Sequence, residues 1–203
     1  MRVKTKISCD AFPCKDVEHA GFVVPGIDIN PSRISILMIS EATPANPGDY
    51  YFVRGNPLFQ QTTAQAFNDA GAKVPSMKDI LELGVYVTTA VKCSKKAYAI
   101  GLSTIDECSR LLKREIALFP KVRAILLMGD VAIRAINTIA KRKRRGEARV
   151  IPSGSTYKIR GGHFTFQGAR AFPSYLQAGP SCLIEKSKRK MISQDIFAAF
   201  SLV

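Results

Sequence analysis

With 203 residues, 46% of them hydrophobic and 23% charged, the chain is long enough for one well-packed domain, and no linker-like stretch divides it. The 30 lysines and arginines against 16 aspartates and glutamates leave a formal net charge of +14, a field that attracts polyanions, nucleic acid foremost. The longest apolar runs, AILLM and ISILMI, are strand-sized and exclude a helical membrane span; MRVKTKISCD lacks the apolar stretch of an export signal, so an intracellular, cytoplasmic protein with no membrane partner is expected.

Taken in chain order, the apolar run ISILMI (34–39) reads as a strand, and the Pro-, Gly- and Asn-rich stretch EATPANPGDYYFVRGNP after it is long enough for a functional loop. QTTAQAFNDAG reads as a helix closed by Gly71, and Ser76 with Asp79 resembles a capping box for a short helix ending at Gly84. VYVTTAV (85–91) is the second strand. Thr104 and Glu107 form a further capping box, opening a helix whose apolar face holds Leu111, Leu112, Ile116 and Phe119. RAILLMG (123–129) is the third strand, followed by the helix DVAIRAINTIA with Asp130 as N-cap. YKI and HFTF flank RGG as a hairpin, and a last helix runs from about Ser181 to Phe200. Strands alternating with helices predict a parallel sheet covered on both faces, with ligands bound beyond the carboxyl ends of its strands.

Five cysteines stand out. In an intracellular protein they point to metal binding or catalysis rather than disulfides. Cys9 and Cys14 form a C-x4-C pair, and Cys93 and Cys108 follow at a strand end and early in the next helix. Four thiolates can close around an iron–sulfur cluster or a tetrahedral zinc. Cys182, beside the apolar stripe of the last helix, reads as a small buried hydrophobe.

Four segments, in order, resemble the uracil-DNA glycosylase superfamily, and in particular its iron–sulfur-containing class. MISEATP looks like the family's G-E-A-P-G motif, and GNPLF with its following helix looks like the G-x-P-F segment. VYVTTAVKCSKK looks like the strand ending in T-N-V-V-K-C-R, and AFPSYL looks like H-P-S-x-L. LLMGDVAIRAI also resembles the family's L-x-x-L-G-x-x-A junction. The resemblance implies a three-layer α/β/α sandwich around a short, mainly parallel sheet, a single domain over residues 1–203 with an N-terminal cluster-binding segment. It implies that Cys9, Cys14, Cys93 and Cys108 hold a [4Fe–4S] cluster, although the family's first pair is usually C-x2-C.

The activity implied is hydrolysis of the N-glycosidic bond of a damaged or deaminated base flipped out of single- or double-stranded DNA, by a monomer. Such chemistry needs an aromatic face, polar groups on the base edge, a donor for the charge on the departing base, and a group that places water. Phe59, or its neighbour Leu58, matches the stacking position, and Glu41 matches the carboxylate that places water or steadies the sugar cation. In a second register, ANPG resembles the G-x-N-P-G motif of related classes, which gives Asn46 the water-placing role, though N-P-G is also ordinary turn chemistry. Two departures stand out. Thr89 occupies the place of the base-reading Asn, and Phe172 that of the His that donates to the departing base. A hydroxyl cannot imitate a bidentate amide, and phenylalanine donates nothing. Altered base specificity is therefore expected. A non-catalytic nucleic-acid-binding protein of the same fold is the alternative, and a zinc protein without DNA chemistry a further one. Pro173 and Ser174 match the family loop that presses on the DNA backbone, and Lys186, Lys188, Arg189 and the run KRKRR (141–145) are candidate phosphate contacts.

Overall fold

In the computed structural model, which describes residues 1–97, 99–143 and 149–203, six strands form one sheet between two layers of helix. The strands are β1 (Val17–Glu18), β2 (Ile36–Thr43), β3 (Val85–Lys95), β4 (Ala124–Met128), β5 (Phe164–Phe166) and β6 (Ala169–Ser174), in the spatial order β1-β3-β2-β4-β6-β5. The central four are parallel, and short antiparallel strands close the edges. Burial on both faces explains why the central strands read as unbroken apolar runs rather than alternating ones.

One face packs against α1 (Leu58–Asp69), α2 (Met77–Glu82) and α7 (Lys186–Phe200), through Ile36, Met38, Val85, Val87, Leu126, Phe67, Ile80, Ile192 and Ile196. The other packs against α3 (Leu102–Ile116) and α4 (Asp130–Lys143), through Leu37, Ile39, Tyr86, Ile125, Leu112 and Ile136. This is the expected sandwich. The chain leaves β2 toward one face and β4 toward the other. The carboxyl ends of these neighbouring strands therefore flank the topological switch point, where open α/β sheets bind ligands.

Several local expectations change. Thr104 does not cap its own helix. α3 starts earlier, at Leu102, and Asp16 from the N-terminal segment takes over its first turn, accepting from Gly101 N (2.6 Å) and from the Thr104 hydroxyl. A distant carboxylate does the capping, which no local pattern announces. YKI is the helical turn α5 (Thr156–Ile159), and the hairpin forms between β5 and β6 instead. Its two-residue loop, Gln167 and Gly168, has positive φ at both positions (52° and 87°), the twist that suits a tight hairpin. The last helix is two: α6 (Pro180–Ile184) ends at Glu185, whose ψ of 81° leaves the helical region, before α7 begins. β2 and β3 also run past their apolar cores, to Thr43 and Lys95. Among the described residues no helix is long and apolar enough to cross a membrane.

Candidate active site

Pairing of β2 with β4 stops at Ile39↔Leu127, while pairing with β3 continues, so the last turns of β2 project beyond β4 at the switch point. Glu41 sits on this projection, inside the strand rather than after it. Its Oε2 accepts from Lys95 Nζ at 2.8 Å and its Oε1 from Val131 N at 3.4 Å, in the first turn of α4. Helix N-termini favour negative charge. The side chains of Glu41 and Lys95 keep 16% and 29% of their surface open, so the pair is seated but reachable. Gly129 makes room for it: its φ is +101°, and a Cβ there would stand 2.7 Å from Glu41 Oε1.

On the opposite face of β2, Ser40 begins a buried polar network. Ser40 Oγ shares a hydrogen bond with Tyr51 Oη, and Gln177 Nε2 donates to Ser40 Oγ (3.0 Å) and Tyr51 Oη (3.2 Å). Phe59, half-buried in the first turn of α1, leans on the Tyr51 ring with centroids 5.3 Å apart, and Gly179 lies against its edge. Thr89 is the register partner of Ser40, fully buried, and its Oγ1 has no hydrogen-bond partner. Glu41 on one face of the sheet, and Phe59 and Thr89 on the other, thus lie near the last residues of β2, with Thr89 in the middle of β3.

The other expected site residues lie elsewhere. Asn46 is exposed and caps a 3-10 turn, accepting from Gly48 N (3.0 Å) and donating to Asp49 (3.3 Å), so its amide is spent on turn chemistry. Phe172 pairs with Leu126 in mid-strand, with the Arg170 guanidinium 4.7 Å from its ring centroid. It lines a cavity of about 480 Å³ with Arg123, His163 and Leu202, away from the carboxyl ends of the strands. Pro173 and Ser174 are buried strand residues rather than a loop, and Ser174 Oγ donates to Asp195 at 2.6 Å. Arg189 forks onto Asp69 of α1 (2.7 Å), Lys188 pairs with Glu185 (2.6 Å), and Lys186 is exposed. Of KRKRR, Arg142 is turned inward onto Ser109 and Asp106, and Arg144 and Arg145 fall outside the described residues.

The structure draws the cysteine segments together. β1 pairs with the end of β3 (Val17↔Lys95, Glu18↔Ser94), Asp16 ties the segment to α3, and Arg114 of α3 donates to Ser8 O at 3.0 Å. Cys9 and Cys14 pack on the same core cluster that holds Cys93 and Cys108, and all four are free thiols. Burial, then its thiol neighbours Cys108, Cys9 and Cys14, pushes the Cys93 pKa up to about 12. Burial likewise raises Cys108 to about 11, against the pull of the Lys92 N–H and ammonium. Among the described residues no group of three or more His, Cys, Asp or Glu side chains is placed to hold a metal ion.

Two features escaped the sequence. Lys95 and the polar cluster of Tyr51 and Gln177 carry no motif, because only the packing of distant segments brings them to Glu41 and Ser40. A family model described as the uracil DNA glycosylase superfamily matches residues 28–192, a span that holds Glu41, Cys93 and Cys108 and begins after Cys9 and Cys14. No curated protein matches the chain.

Proposed function

The chain belongs to the uracil DNA glycosylase superfamily, and from that membership we propose a DNA-repair glycosylase that hydrolyses the N-glycosidic bond of a damaged or deaminated base flipped out of DNA. One observation carries the reading: Glu41 stands at the switch point, turned to the mouth by Lys95 and the α4 N-terminus, over a glycine that leaves it room. A carboxylate with lone pairs to spare can hold a water against the sugar. As the C1′–N bond breaks, its electron pair leaves with the base, the water oxygen bonds C1′, and the water proton passes to Glu41. Phe59 offers the face on which a base stacks, at a contribution of about 1–3 kcal/mol. The net charge of +14 favours the DNA backbone, with affinity that falls as salt rises.

The donor set of the N-terminal region suits a [4Fe–4S] cluster held by Cys9, Cys14, Cys93 and Cys108. Three separate segments bring four reduced thiols into one region. A tetrahedral zinc would use the same four thiolates, and iron and sulfide content separates the two. When bound, such a group supplies a cross-link and, in principle, an electron-transfer centre. The chain's own contribution is to anchor the segment through Asp16 and β1.

The test is anaerobic purification followed by assay on single- and double-stranded oligonucleotides carrying uracil, hypoxanthine, xanthine or an alkylated base. Abasic-site formation is expected, reduced about 100-fold or more in Glu41→Ala, the range of a lost general base. Release that ignores Glu41→Ala removes this assignment. Iron and sulfide content, lost in Cys93→Ser, tests the cluster separately. A second reading, a non-catalytic DNA-binding protein, is favoured by the placing of Phe172 in mid-strand and by the histidines: His19 contacts Cys14 O at 2.6 Å and His163 lies in the cavity beside Phe172. DNA binding without release of any of these bases would establish it.

A further inference from the structure

We infer that Lys95 is the nucleophile of a second reaction at this site: it condenses with the abasic sugar that base removal leaves and cuts the DNA strand by β-elimination. The inference rests on the glycosylase reading above, in which Glu41 addresses C1′ of the sugar. Lys95 Nζ donates to Glu41 Oε2 at 2.8 Å, so the primary amine and the carboxylate face the same space. With 29% and 16% of their side chains open, both are within reach of a ligand as the site stands.

The neighbouring lysines are placed differently. Lys92 is closed in the core, its ammonium spent on Thr88, Thr89 and Glu115. Lys96 is exposed, just past the end of β3. Lys95 lies between these extremes, at the switch point and against a carboxylate. The Val131 N–H already seats the other oxygen of Glu41, at 3.4 Å. What the lysine adds is an amine whose proton has an acceptor in contact.

The chemistry follows from what base removal leaves. C1′ becomes a hemiacetal carbon that opens to an aldehyde, and lysine amines form Schiff bases with such carbonyl carbons. An ammonium only donates, so its proton goes first, along the 2.8 Å hydrogen bond to Glu41. The freed electron pair on Nζ bonds C1′, and Glu41 hands the proton to the departing hydroxyl, which leaves as water. The product is a protonated imine between Lys95 and C1′. Glu41, a carboxylate again, takes a proton from C2′ and passes it to solvent. The electron pair of that C–H bond forms the C2′–C3′ double bond, and the C3′–O bond breaks with its pair going to the phosphate. Water then hydrolyses the imine, which frees Lys95 and an unsaturated aldehyde. The strand is cut by elimination, and nothing is oxidised or reduced.

The experiment offers the anaerobically purified protein single- and double-stranded oligonucleotides with a preformed abasic site, with and without sodium borohydride, which reduces an imine to a stable amine. Without borohydride the strand is expected to be cut. With it, a covalent protein–DNA adduct is expected, attached through Lys95 when its peptides are read by mass spectrometry. The adduct should be lost in Lys95→Arg, which keeps a charge beside Glu41 but not the nucleophile. Glu41→Gln should slow strand cutting about 100-fold or more. No adduct in the wild type, attachment through another amine, or a wild-type yield of adduct from Lys95→Arg overturns the inference. The wild-type attachment point decides it even if the variant fails to fold. Cutting that ignores Glu41→Gln overturns the proton path. Because the abasic site is supplied ready-made, the two readings fail separately. An adduct through Lys95 without release of any base overturns the glycosylase reading alone, and base release without an adduct overturns this inference alone.

Discussion

The strand β3 carries polar side chains to both faces of the sheet, and the two faces treat them in opposite ways. Toward α3, the Lys92 ammonium uses all three of its donors, on Thr88 Oγ1 (2.8 Å), Thr89 O (2.5 Å) and the Glu115 carboxylate, which also accepts from Tyr86 (2.6 Å) and Thr88 (2.9 Å). On the other face, Thr89 and, in the core cluster against α1, Tyr50 are just as buried, and neither hydroxyl has a hydrogen-bond partner. A complete network rigidifies and leaves nothing to offer a ligand; an incomplete one in the same sheet is costly unless something completes it. Polar burial alone therefore does not mark a site.

The contrast breaks most directly at Lys92. Lys92→Met leaves Glu115 charged and unpaired in the core, and a loss of about 3–5 kcal/mol is expected, read as a lower denaturation midpoint. A stability close to wild type would mean that water reaches the α3 face, and the contrast would fall. Two tyrosines sharpen it. Tyr86→Phe removes a hydrogen bond to a carboxylate and should cost about 1.5–3 kcal/mol, whereas Tyr50→Phe should cost nothing; equal losses would erase the distinction. At the mouth, Gly129→Ala forces an L-residue into positive φ and a methyl onto Glu41, for a cost on the order of 1–3 kcal/mol. Base release should fall with it as in Glu41→Ala, and release at the wild-type rate would detach Glu41 from the chemistry.

The smallest effect lies at Asp195, a satisfied group that is nonetheless strained by burial. Burial raises its carboxyl above the usual 3.8, although Ser174 and Arg160 pull the other way. A raised acid pKa stabilises the fold fully below the unfolded value and ceases to do so as the pH climbs through the folded one. The wild type should therefore gain on Asp195→Asn as the pH falls from about 7 to about 4, measured by paired denaturation midpoints. A gap that widens in the other direction would show that the Arg160 ion pair dominates.

Which parts of this were legible beforehand follows from the range of the forces involved. The sequence by itself determined the order of most strands and helices, the layered sandwich and the family resemblance, and it singled out Glu41, Phe59 and Thr89 as candidates. Apolar runs, turn residues and short motifs are local, and they survive into any fold built from them. Only the tertiary structure decided the rest. A register shift between Ala42 and Thr43 re-aims the end of β3, so that alternation counted from Val85 places Lys92 beside Tyr86 and Thr88 but cannot say that Lys95 meets Glu41. Asp16 caps a helix more than eighty residues away, Phe172 stops short of the strand end because β6 continues to Ser174, and Tyr50 loses its partner to the way a loop folds over the sheet. Each of these is a pairing, or a missing pairing, between groups far apart in the chain. Such pairings are set by how the layers pack, which no single stretch of residues contains.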